Sequence, residues 1–222
     1  MSKIKKNNIW VILSLSFFLF GLPLGSWYYL NEGLNYSKSV KKKLESKGEV
    51  PAFSFTDQNG QVITNDSLKG KLYVADFFFA SCPNECLEMA ENLKVVQEAF
   101  KDHPKVVIVS FSTDPYNDTT EVLKKYADGL GALPNQWYFL RGEQKKIFDL
   151  AKKGFKLPAD TNDNDDDIVH SPYFAVVDAE GQIRNYYDGT SFEETNVMIT
   201  HMSMIMPRKP DPEIKVEEKE EL

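Results

Sequence analysis

Residues 71–86 read KLYVADFFFASCPNEC, and the fold is decided there. The first nine are rich in β-branched and aromatic side chains, which suit a strand buried on both faces. Beyond them Met89, Ala90, Leu93, Val96 and Phe100 recur at helical spacing and predict a helix over 86–100. A short loop carrying two cysteines therefore joins a core strand to the helix that follows it. Working outward, residues 106–111 form a second apolar strand, and Asp118 with Glu121 three positions on has the spacing of a capping box opening a helix through Tyr126. Strands over 137–140, 173–177 and 183–187 and helices over 143–153 and 192–206 complete the pattern, with a turn at Ala179-Glu180-Gly181. Upstream, Phe53-Ser54-Phe55 and Val62-Ile63 flank Asn59-Gly60, a hairpin turn signal because both residues tolerate positive φ. Strands alternating with helices imply an α/β layer structure around a mostly parallel sheet, closed by a final hairpin and helix. There is no internal repeat.

The length of 222 residues allows one domain of ordinary size with extensions, and 27% charged with 42% hydrophobic residues describes a folded chain. The formal charge of −7 hides an asymmetry: residues 1–48 carry eight Lys and two Glu, a balance of +6 that leaves −13 for the rest. A body this acidic repels a phosphate backbone, so nucleic acid is excluded as a partner. Lys3, Lys5 and Lys6 precede an uncharged run over 9–30, long enough for a membrane-spanning helix and longer than a signal peptide's apolar region needs. Trp10 at one end and Trp27, Tyr28 and Tyr29 at the other stand where an aromatic belt falls. The expected organisation is a cytoplasmic tail over 1–8, a transmembrane anchor over 9–30, a basic linker over 31–50, one domain over 51–206 and a disordered acidic tail over 207–222. The short basic tail puts the domain outside the cytoplasmic membrane.

The two cysteines, Cys82 and Cys86, act as a pair if they act at all. At the head of a helix, unpaired N–H groups and the positive end of the dipole favour a thiolate and lower its pKa, while Glu85 opposes this. The spacing is C-x-x-x-C. Residues i and i+4 of a regular helix hold their Cβ atoms about 5–6 Å apart and a disulfide needs about 3.5–4.5 Å, so a bridge requires Cys82 to leave the helix. Two thiolates converging on a metal can stand farther apart; the spacing leans towards metal and leaves redox chemistry open. The imidazoles are His103, His170 and His201. His170 lies just before the 173–177 strand, in a loop that a parallel α/β sheet can bring beside the cysteine loop. Two soft thiolates with one imidazole suit copper(I) and, in another geometry, copper(II); a structural zinc ion would want a fourth ligand that is not evident.

Residues 51–206 resemble the Sco/SenC copper proteins. The resemblance rests on the strand running into C-P-x-x-C, on Ser112-Thr113-Asp114-Pro115 followed by Asp118, on His170 eleven residues before Gly181, and on the N-terminal anchor. It implies an α/β, thioredoxin-like fold with a central mixed sheet flanked by helices, preceded by one transmembrane helix. It also implies a copper ion, Cu(I) or Cu(II), on Cys82, Cys86 and His170. The implied role is a metallochaperone for the CuA centre of cytochrome c oxidase, with the copper-bearing subunit or another copper protein as partner. The rival is an enzyme, a thiol–disulfide oxidoreductase in which Cys82 and Cys86 are the redox pair. Two positions depart from the family: Leu87 stands where proline is common, and Val169 where aspartate commonly precedes the histidine. Pro172 lies near the place where thioredoxin-like folds carry a cis-proline, so a cis Ser171-Pro172 bond is expected. A peroxiredoxin would want Thr or Ser at Phe79.

Other clusters have plainer readings. His103 sits in a helix-to-strand loop as a solvated residue. His201 with Met202, Met204 and Met206 suggests a copper-collecting stretch, but Met198, Met202 and Ile205 also fall on one helical face, which reads as core. Residues 160–167 (DTNDNDDD) lack an EF-hand's glycine and terminal glutamate and read as a solvated acidic loop able to steer a cation or a basic partner.

Overall fold

The computed structural model describes residues 6–82, 85–157 and 171–207. The chain forms two units, residues 1–45 and 46–222. The first is helical: α1 (Lys6–Ser16), a π turn (Phe17–Gly21) and α2 (Leu22–Lys43). The π turn has a local cause, since Pro23 has no N–H for the carbonyl of Leu19 and its ring crowds that carbonyl. Leu13–Asn35 is long and apolar enough to cross a membrane, and its large apolar side chains are exposed, Phe18, Leu19, Phe20 and Trp27 among them. Residues 31–43, read above as part of the linker, continue the helix.

The second unit is built on a five-stranded sheet of order β5-β4-β3-β6-β7. Its strands are β3 (Leu72–Phe78), β4 (Val106–Ser112), β5 (Trp137–Leu140), β6 (Ser171–Val177) and β7 (Ile183–Asp188). A separate hairpin, β1 (Ser54–Thr56) and β2 (Val62–Thr64), followed by the short helix α3 (Asn65–Leu68), precedes them, turning at Gly60, whose φ of 80° explains the glycine. Strands β3, β4 and β5 are mutually parallel, whereas β6 is antiparallel to β3 and β7 to β6. The sheet is therefore mixed, with a larger antiparallel share than alternation alone suggests.

Both faces of β3 and β4 are covered, which is why these strands read as continuous apolar runs. Tyr73, Ala75, Phe77, Val107, Val109 and Phe111 enter one core layer with the hairpin and the chain from α6 (Gln144–Asp149) through a π turn (Leu150–Gly154). Leu72, Val74, Phe78, Val106 and Ile108 enter the other, under α4 (Glu85–Phe100), α5 (Thr120–Leu130) and α7 (Phe192–Ile205). Aromatic rings dominate both layers. Phe111 stacks on Phe77 with centroids 5.0 Å apart and meets Phe53 edge-on at 5.4 Å.

This topology positions the site. Strand β7, antiparallel to β6, runs the same way as β3, so the carboxyl ends of β3, β4 and β7 share one sheet edge. Helices α4, α5 and α7 all start there.

Several expectations are corrected. Helix α5 is capped by Thr119, whose side chain accepts from Val122 N–H, and not by Asp118. The Asp118 carboxylate is engaged elsewhere, as described below. The described residues contain no cis peptide bond, so Ser171-Pro172 is trans. Ser171 opens β6 and pairs with Phe77 across an irregularity in the β3–β6 register, and the carbonyl of Pro172 accepts from Gly189 N–H at 2.6 Å. His103 is buried at 7% exposure and not solvated, because the turn from Phe100 to Val106 folds back through its own backbone N–H and C=O. Residues 160–167, Val169, His170 and 208–222 lie outside the described residues.

Candidate functional site

The chain leaves β3 at Phe78 and reaches Cys82 before α4 begins at Glu85. Cys82 stands outside the regular helix and Cys86 in its first turn. That is the condition under which C-x-x-x-C can either close a disulfide or open onto a metal. Both cysteines are free thiols, Cys82 half-buried and Cys86 buried at 3% exposure. Their side chains are hydrogen-bonding neighbours. Burial pushes the Cys86 thiol well above its usual range, its interaction with Cys82 and the nearby charge of Asp76 push the same way, and only a Phe79 backbone contact opposes. The lowering expected from the helix dipole is therefore overridden at Cys86, because desolvation of a thiolate costs more than the dipole returns.

The Ser112-Thr113-Asp114-Pro115 run and Asp118 brace this loop from β4. Thr113 donates to the carbonyl of Phe78 through its N–H at 2.8 Å and its hydroxyl at 3.1 Å. The Asp118 carboxylate accepts the Ala80 N–H at 3.1 Å and the Ser112 hydroxyl at 2.5 Å. Burial raises the pKa of Asp118, and the hydrogen bonds from Ser112 and Ala80 work against that rise. Arg141 ties the far side, donating to the carbonyls of Asp118 at 2.9 Å and Pro115 at 2.8 Å. Asn117 closes the turn on Asp114 at 2.7 Å.

Beneath the dithiol lies a residue that sequence reasoning passed over. Asp76, in the middle of β3, is 3% exposed. Ser110 donates to it at 2.5 Å, and the Trp137 indole N–H donates to the Ser110 oxygen at 2.9 Å. With Cys86 and Tyr126, Asp76 lines a small cavity of about 10 Å³. Burial, only partly offset by Ser110, raises its pKa to about 7. The signal was present: one acid in an otherwise apolar run, at even spacing from Leu72, Val74 and Phe78 and so on the face that packs against α4.

Of the other candidates, His201 lies on the buried face of α7, with its Nδ1 2.7 Å from the Tyr187 hydroxyl, and Met198 and Met202 of the same helix are wholly buried. This is the core reading. Among the described residues no three His, Cys, Asp or Glu side chains converge on one point. A larger cleft of about 610 Å³, between residues 51–55 and Lys146, Asp149, Leu150 and Lys153, contains neither cysteine.

A mixed sheet flanked by helices, with a paired-thiol loop between a central strand and the helix after it, defines a thioredoxin-like dithiol protein. Residues 41–206 match the SCO1/SenC family model, and the chain belongs to that family. It is 34% identical over 143 residues to the SCO1 protein homolog of Bacillus subtilis, covering 64% of this chain and 74% of the relative. It is also 34% identical over 158 residues to the mitochondrial protein SCO2 of Saccharomyces cerevisiae, covering 66% of this chain and 52% of the relative. A SCO1/SenC family lipoprotein from Bacillus anthracis superposes with a TM-score of 0.64 at 30% identity, covering 71% of this chain and 94% of the other. BsSco, described as having a disulfide switch and as a member of the Sco family of cytochrome c oxidase assembly proteins, gives 0.60 at 30%, covering 72% and 97%. Bradyrhizobium japonicum ScoI, solved with copper bound, gives 0.57 at 25%, covering 69% and 98%.

Proposed function

We propose that this chain is a membrane-anchored metallochaperone carrying one copper ion on Cys82, Cys86 and His170. Its acceptor is the copper-bearing subunit of cytochrome c oxidase or another copper protein. One observation carries the reading: two free cysteines stand together at the head of α4, and Ser171, next in sequence to His170, pairs with Phe77 where the cysteine loop begins. Copper is cargo here, and the donor set fits it, because paired thiolates with an imidazole are soft enough for copper(I) and leave a position open for ligand exchange. The copper-bound ScoI relative supports the metal, and BsSco's family description supports the assembly role. The span Leu13–Asn35 supports anchoring in the cytoplasmic membrane, and the basic residues Lys3, Lys5 and Lys6 before it support placing the domain on the extracytoplasmic side.

Anaerobic copper(I) titration of the full chain tests this. The expected stoichiometry is one, lost in Cys82→Ser and in Cys86→Ser, with affinity falling at least about tenfold in His170→Ala, on the scale of changes to a metal's surroundings. Unchanged binding in His170→Ala rejects the three-ligand assignment.

The unequal exposure of the cysteines favours a second reading, as a thiol–disulfide oxidoreductase. The Cys82 thiolate would attack a partner disulfide, forming a mixed disulfide and releasing one partner thiolate. Cys86, after losing its proton, would then attack Cys82, forming the internal disulfide and releasing the second thiolate. The partner gains two electrons and the chain loses two.

A further inference from the structure

Helices α4, α5 and α7 begin at one sheet edge, and that edge carries large apolar side chains which the described residues leave exposed. Leu87, next to Cys86, is 54% exposed; Tyr116, in the loop that braces Ala80, is 80% exposed; Phe192, the first residue of α7, is 60% exposed. Contacts within the fold place the segments that carry them at the same end of the sheet as the dithiol. Asp118, two residues after Tyr116, accepts the N–H of Ala80, two residues before Cys82. Gly189, three before Phe192, donates to Pro172 at 2.6 Å and accepts from Asn92 of α4 at 2.8 Å. The first turns of the same helices add exposed Glu88, Glu121 and Glu193 and contain no lysine or arginine.

We propose that Leu87, Tyr116 and Phe192 form a docking rim for a folded protein whose own thiol ligands lie in an apolar patch bordered by lysine or arginine. This rests on the functional reading above and adds the partner's surface to it. Any protein that takes an ion from Cys82 must bring a donor atom into bonding distance of it, and so approaches the sheet end at which these helices start. The sheet end at which these helices start thus offers exposed apolar side chains together with exposed glutamates, the two ingredients of a specific interface. The acidic border speeds encounter with a basic partner and makes that gain sensitive to salt.

The test uses the full chain in phosphatidylcholine nanodiscs, loaded with copper(I), as wild type and as the triple variant Leu87→Ser, Tyr116→Ser, Phe192→Ser. All three positions are exposed, so folding and copper stoichiometry are expected to be unchanged. Copper release is followed to a small chelator, bicinchoninate, and to a soluble, reduced, copper-free CuA domain of a cytochrome c oxidase. The variant should lose copper to the chelator at the wild-type rate and to the CuA domain at least about tenfold more slowly, with wild-type transfer slowing as salt rises. Equal rates to both acceptors would overturn the rim and leave the functional reading standing. A wild type that holds copper but passes none to the CuA domain would also overturn the rim. A wild type that holds no copper overturns the functional reading itself and the rim with it.

Discussion

Cys82→Ser should abolish the rapid reaction of the chain with a small aromatic disulfide, lowering its rate about a thousandfold, whereas Cys86→Ser should leave the first step nearly intact. The asymmetry follows from burial. Cys82 is partly exposed outside the helix, while Cys86 is 3% exposed and its thiol is pushed up by desolvation, by Cys82 and by Asp76. The attacking species is the thiolate, and it must reach the target sulfur, so the open cysteine attacks and the covered one resolves. In Cys86→Ser the reaction should stop at a stable mixed disulfide on Cys82, visible by mass spectrometry as one added aromatic thiol. In the wild type that adduct should vanish as the internal disulfide forms and a second coloured thiolate is released. Equal first-step rates in the two variants would show that the burial difference does not assign the roles.

Replacing Asp76 by asparagine should remove a pH dependence of stability worth up to about 4 kcal/mol. The sign follows from the raised pKa of about 7 in the folded chain against an ordinary carboxyl near 3.8. Below about pH 4 both states hold the proton and Asp76 makes no difference. As the pH rises through the window up to about 7, the unfolded chain ionises while the folded one keeps its proton, so stability falls. Above that window both are ionised and the full penalty of a buried carboxylate remains. Asparagine keeps an oxygen for the Ser110 hydroxyl and never ionises, so Asp76→Asn should lack the slope and be the more stable protein at pH 8. Urea unfolding of both full chains between pH 4 and 8, followed by near-ultraviolet circular dichroism, measures the difference directly. Parallel curves would show that the native surroundings of Asp76 do not hold its proton.

The strands were legible because burial on both faces writes itself as uninterrupted apolar runs, as in residues 71–79. The order of helices and strands followed from the change in spacing after Cys86. What escaped was decided by tertiary contacts. Asp118 has the spacing of a helix cap, but its oxygens are taken by Ala80 and Ser112, so Thr119 caps α5. The helix dipole at Cys86 is a local effect that favours the thiolate, and burial of that thiol, which lines the same small cavity as Ala90 and Leu93, outweighs it. His103 has a polar neighbourhood in sequence and a buried one in space. Asp76 was hidden for the opposite reason, since an acid inside a strand looks like an interruption until Ser110 and Trp137 are seen to satisfy it. At the dithiol, the cysteine pair was legible from its place between strand and helix, while the division between an open and a covered sulfur required coordinates.

The most direct measurement of the copper site is X-ray absorption spectroscopy of the full chain loaded anaerobically with one equivalent of copper(I), compared with His170→Ala. The predicted spectrum fits two sulfur scatterers and one imidazole nitrogen, with the imidazole contribution missing from the variant. A sulfur-only shell in the wild type, or an imidazole signal that persists in His170→Ala, would contradict it.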